Sequence, residues 1–67
     1  MDNAKAGRKI RIYRNCAELT RAELAKRLGI SASAVSMYER AQRRPTDEVK
    51  EKYANYFKVT VQELFYD

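Results

Sequence analysis

Arg40, Gln42, Arg43 and Arg44 crowd just ahead of the chain's only proline, Pro45, and a further arginine, Arg21, lies well upstream. Guanidinium groups offer planar, permanently charged donors, the chemistry that grips phosphate or carboxylate oxygen. Little else in the 67 residues could act on a substrate. There is no histidine and a single cysteine, Cys16, so no imidazole base can stand beside a nucleophile and no zinc site of the usual Cys and His spacing can be built. An intrachain disulfide is excluded for the same reason. With two glycines in all, there is no glycine-rich phosphate loop either. No catalytic residue, cofactor or metal is therefore expected, and the chain reads as a non-enzyme. Lysine and arginine number 14 against 9 acidic residues, a net charge of +5. That balance suits a polyanionic partner, and equally a merely solvated basic surface.

Such side chains need a frame, and the stretch from Thr20 to Glu39 predicts one: two short helices joined by a tight turn at Gly29. Thr20, with Glu23 three residues on, makes a capping box at the start of a helix over about 21–28. Leu24, Ala25 and Leu28 line its inner face, and Gly29 ends it in the left-handed conformation that costs glycine little. Ser31 is a good N-cap for a second helix over about 32–40. Val35 and Tyr38 turn inward there beside Ile30, leaving Ala32, Ser33, Ser36 and Met37 outward. Two helices held this way are a frame for laying the second into a DNA groove.

The rest of the chain surrounds that pair. A first helix is expected from about Ala4 to Ala17, capped by Asp2 or Asn3, with Ala6, Ile10, Tyr13 and Ala17 along its core face. Pro45 disfavours helix at Arg44, so 41–45 reads as a loop, and Thr46 can cap a helix from Asp47 to Phe57 built on Val49, Tyr53, Ala54 and Phe57. A last short helix starts at Thr60, again with a glutamate three on at Glu63. Tyr13, Tyr38, Tyr53 and Phe57 fall at core spacing, with hydroxyls expected at the surface. The expected fold is all-α, a compact bundle of five short helices forming one helix-turn-helix domain over 1–67, near the lower size for a self-sufficient core.

With these elements in order, the sequence resembles the lambda-repressor and Cro-like (XRE-type) helix-turn-helix family along essentially its whole length. Gly7, Ile10, Arg11, Tyr13 and Arg14 match the family's first helix. Residues 19–25 read LTRAELA where members have L-S-Q-E-E-L-A, and 28–31 read LGIS for L-G-V-S. Residues 35–40 read VSMYER for I-S-x-Y-E-R, and Pro45-Thr46 and VTVQEL at 59–64 continue as P-S and V-S-x-x-E-L. Glu18, Ala41 and Lys58 depart from the pattern, standing where members often have a helix-ending glycine. A left-handed non-glycine costs on the order of 1 kcal/mol, so either those turns close differently or stability falls. Arg21 replaces the glutamine that usually opens the second helix, exchanging a neutral contact for a cationic one.

The resemblance implies binding of double-stranded DNA, with the third helix in the major groove and the second across the backbone. Base edges would meet Ala32, Ser33, Ser36 and Met37. That set holds no arginine, asparagine or glutamine for a bidentate contact, so specificity is expected to lean on DNA shape, water and half-site spacing. Phosphates would meet Arg21, Ser31, Arg40, Gln42, Arg43 and Arg44. Arg14 and Glu39 match positions whose side chains pair between the first helix and the end of the third. Val61, Leu64, Phe65 and Tyr66 would form a two-fold interface, or else a lid folded on the chain's own first helix.

The leading expectation is a sequence-specific transcriptional regulator, a repressor acting as a homodimer. The alternative is a protein-interaction module, antitoxin-like or anti-repressor-binding, with weak or lost DNA binding and a protein partner held by the apolar C-terminus. The N-terminus lacks the apolar run of a secretion signal, no segment approaches transmembrane length, and a lone cysteine suits a reducing interior. The expected location is the bacterial cytoplasm, with a phage, mobile-element or chromosomal origin all left open, and no membrane partner is expected.

Overall fold

Four of the helices begin where a hydroxyl accepts an amide that the first turn leaves unpaired. Thr20 Oγ1 accepts from the Glu23 amide at 3.0 Å while the Glu23 carboxylate accepts from the Thr20 amide at 2.8 Å, closing the capping box. Ser31 and Thr46 take the amides of Ala34 and Val49 at 3.0 and 3.2 Å, and Thr60 takes that of Glu63 at 3.0 Å. The bonds from Thr20 hold the Glu23 carboxyl below the usual carboxylate range. The cap is therefore complete above that range and weakens as falling pH protonates Glu23.

The computed structural model describes residues 3–66. In chain order they form α1 (Asn3–Cys16), α2 (Arg21–Leu28), α3 (Ala32–Glu39), α4 (Asp47–Phe57) and α5 (Gln62–Tyr66), the last wound as a π-helix, with no strand among the described residues. Asp2 lies outside the described residues, and of Asn3 only the backbone is described, so the capping expected of them lies outside as well. Gly29 closes α2 at φ 73°, and Glu18, Ala41 and Lys58 adopt the same left-handed region at φ 59°, 59° and 58°. Those turns thus close as glycine would close them, with the strain of a side chain added. Two boundaries move in consequence. Ala17, expected on the core face of the first helix, is exposed in a turn, because the reversal at Glu18 lets the Leu19 amide bond back to the Arg14 carbonyl at 3.2 Å. The third helix stops at Glu39, with Arg40 at φ −88°, ψ 1° leading into the reversal at Ala41.

The core gathers Ala6 and Ile10 from α1, Leu24, Ala25 and Leu28 from α2, Ala34, Val35 and Tyr38 from α3, Val49, Tyr53 and Ala54 from α4, and Leu64 and Phe65 from α5. Of the two arrangements expected for the C-terminus, a two-fold interface or a lid on the chain's own helices, Leu64 and Phe65 take the lid. Both are buried in the chain's own core, where Phe65 meets the Tyr53 ring edge-on at 6.0 Å. The segment is held there from two sides, by Lys9 Nζ donating to the Glu63 carbonyl at 2.7 Å and by the buried Lys50 donating to the Tyr66 hydroxyl. Val61 is half-buried, and Tyr66 alone of the four is exposed. Tyr53 departs from its expectation: its hydroxyl does not reach the surface but is buried with no hydrogen-bond partner among the described residues, and that burial pushes its pKa upward.

Where α1 crosses α3, Gly7 is required by proximity. A Cβ there would stand 2.5 Å from the Glu39 carbonyl oxygen and 2.9 Å from that of Tyr38, both backbone atoms with no rotamer to change. Alanine ordinarily improves a helix interior by about 1 kcal/mol over glycine. Here the sign reverses: Gly7→Ala should destabilise by about 2 kcal/mol or more through the forced separation of α1 and α3. Lys58→Gly should stabilise by up to about 1 kcal/mol by relieving left-handed strain, and Tyr53→Phe by about 1 kcal/mol by removing an unsatisfied hydroxyl. Urea-unfolding midpoints of the three variants read all three signs.

Candidate nucleic-acid interface

The helical repeat divides α3 into two faces. Ala34, Val35 and Tyr38 point into the core, and Ala32, Ser33, Ser36 and Met37 form the opposite stripe, the first two exposed and the last two half-buried. Ser31, Arg40, Gln42, Arg43 and Arg44 are exposed at the two ends of that stripe. The stripe is uncharged and its ends are polar or cationic. The Ser31 oxygen is already accepting the Ala34 amide, which leaves its proton available for an outside acceptor.

Glu39 should be outward by chemistry and is inward by contact, its side chain 1% exposed. Arg14 grips the carboxylate with two parallel bonds, Nε to Oε2 at 2.7 Å and Nη2 to Oε1 at 3.1 Å, and donates its remaining nitrogen Nη1 to the Leu19 carbonyl at 2.8 Å. One guanidinium thus ties α1, the turn before α2 and the end of α3 together. Arg21 adds a third bond to the carboxylate, Nε to Oε1 at 3.1 Å, with its side chain 38% exposed. Sequence reasoning placed Arg21 on phosphate alone and missed this tie. The signal was available in the replacement of a neutral residue by a cation at the first turn of α2, opposite a carboxylate that had to be buried. Lys50 was missed too, buried beneath the Phe65 and Tyr66 rings with its ammonium 4.6 Å from the Tyr66 centroid.

Among the described residues, no cluster of three or more His, Cys, Asp or Glu is placed to hold a metal, and no helix is long and apolar enough to cross a membrane. Cys16 is exposed at the end of α1. A two-helix unit presenting a small-residue stripe between a polar and a cationic end matches a helix-turn-helix family model over residues 10–64. The chain belongs to the helix-turn-helix family. Two solved structures resemble this member over nearly its whole length. The restriction-modification controller protein C.AhdI from Aeromonas hydrophila is 31% identical with a TM-score of 0.88, covering 96% of this chain and 97% of that one. The P22 c2 repressor, solved in complex with synthetic operator 9T, is 26% identical with a TM-score of 0.86, covering 91% of this chain and 92% of its own. A search of curated protein sequences found no significant match.

In this helix-turn-helix chain the angle of α3 therefore depends on one carboxylate. Removing it strands a buried guanidinium, so Glu39→Ala should cost about 3–5 kcal/mol of stability. Arg21→Gln, which leaves the better-buried Arg14 pair in place, should cost under about 1 kcal/mol. Thermal melts of the two variants, compared at equal protein concentration, check that ordering.

Proposed function

We propose that the chain is a DNA-binding transcriptional regulator that places α3 in the major groove and represses by occupying promoter DNA. The observation that carries this reading is the α3 surface itself, a stripe of small uncharged side chains with cations at its end, in a fold whose solved neighbours are a restriction-modification controller and a repressor in complex with an operator. Ala32, Ser33, Ser36 and Met37 would face base edges, the two serines exchanging hydrogen bonds and the methyl and thioether packing on thymine methyls. Arg21, Ser31, Arg40, Gln42, Arg43 and Arg44 would take phosphates on either side of the groove. Small contacts of this kind leave much of the discrimination to DNA shape and bridging water. We further propose that it acts in the cytoplasm as a homodimer on two half-sites about one helical turn apart.

Fluorescence anisotropy with the DNA upstream of its own coding sequence and with a shuffled duplex, across a series of salt concentrations, tests this directly. If a protomer neutralises roughly four phosphates, log affinity should fall with log salt at a slope near 3.6 per protomer. The native duplex should be preferred, and the double variant Arg43→Ala/Arg44→Ala should bind more weakly to both with a shallower slope. Equal, weak and salt-insensitive binding to both duplexes would exclude DNA as the partner.

A further inference from the structure

The Glu39 carboxylate is outnumbered. Arg14 and Arg21 both bond it, so a single buried negative charge answers two positive ones. Arg11 adds a third. Gly7, Arg11 and Arg14 recur at i, i+4 and i+7 and so share one stripe of α1. The Gly7 end of that stripe lies against the carbonyl oxygens of Tyr38 and Glu39, and the Arg14 end holds the Glu39 carboxylate. Arg11 falls between them on that stripe and is exposed. Nothing on its own helix offsets it, because α1 carries Lys5, Arg8, Lys9, Arg11 and Arg14 and no acidic residue.

The negative end of the α3 dipole draws cations, yet the carbonyls that make that end negative are largely engaged. Those of Ser36, Met37 and Tyr38 accept the amides of Arg40, Gln42 and Ala41 at 3.0, 2.9 and 3.2 Å. The surplus positive charge is thus left facing outward. Arg21 is arranged to use it. Glu39 fixes its Nε, and among the described residues no hydrogen bond takes up its two terminal nitrogens. A guanidinium held by one edge presents the other in a set orientation, the geometry that takes two oxygens of one phosphate.

We propose that Arg11 of α1 and Arg21 of α2 form a phosphate seat at the C-terminal end of α3, separate from the loop 41–45, in which one backbone phosphodiester of the bound duplex is held between the first two helices. The seat rests on the DNA-binding reading above and adds α1 to the contact surface. Glu39 is its positioning residue, since it aims Arg21 without touching DNA.

The test is the salt dependence of binding to a short duplex of mixed sequence for Arg11→Gln, Arg21→Gln, their double variant, the charge-conserving Arg11→Lys, and Lys52→Gln as a cation on α4 outside the seat. Each single glutamine variant should weaken binding several-fold. The double variant should lose about 0.9 from the slope of log affinity against log salt, the value for one phosphate. Arg11→Lys should restore the slope, Lys52→Gln should keep it, and thermal melts should show all five folded. A wild-type slope retained in the double variant overturns the seat while leaving the DNA-binding reading intact. A wild-type chain that shows no salt-steep binding overturns both.

Discussion

The Arg14–Glu39 pair fixes the relation on which every functional surface of this protein depends. A carboxylate taken almost wholly out of water would be costly alone. Two parallel bonds from Arg14 at 2.7 and 3.1 Å, with a third from Arg21, satisfy it and in doing so clamp α1 and α2 to the end of α3. Gly7 lets the same helices approach backbone to backbone one layer away. The outward stripe of α3 has little rigidity of its own, being eight residues long and only one face deep in the core. Its orientation is imposed by the charges behind it.

That arrangement divides the labour of the arginines by burial. Arg14 is spent inside, Arg40, Arg43 and Arg44 are exposed, and Arg21 stands between the two states. A permanently charged, planar group can serve both purposes at once in a way that lysine could not, since its edges are separate sets of donors. The C-terminal segment contributes from the other side of the molecule. By folding Leu64 and Phe65 under α1 it completes the core of a very small protein and takes those two side chains off the surface.

Much of this was legible in the sequence because the decisive features are local. A hydroxyl three residues before a glutamate, a glycine after a helical repeat and a proline after a cationic run each act within one turn, and the starts of α2, α3 and α4 follow from them. The all-helical class and the stripe Ala32, Ser33, Ser36 and Met37 follow from the same periodicity. What was not legible depends on contacts distant in sequence. The tie from Arg21 to Glu39 spans 18 residues, and Lys50 meets Tyr66 across 16. Tyr53 looked like an amphipathic tyrosine because its type usually is one, and only packing between elements distant in sequence, with Tyr38, Glu39 and Arg14 near its hydroxyl, decides that the hydroxyl is sealed in. Ala17 misled for a subtler reason: its spacing was right for a helix that the left-handed turn at Glu18 had already ended.

We propose as the DNA-binding surface the face built from the start of α2, the outward stripe of α3 and the segment that follows. Amide chemical-shift mapping by nuclear magnetic resonance, with duplex DNA added to labelled protein, reads that surface residue by residue. The largest shifts are expected at the start of α2, across Ser31 to Met37 and through Arg40 to Arg44, with α4 beyond its first turn and α5 nearly unmoved. Shifts concentrated instead on α4 and α5, with α3 silent, would contradict that proposal.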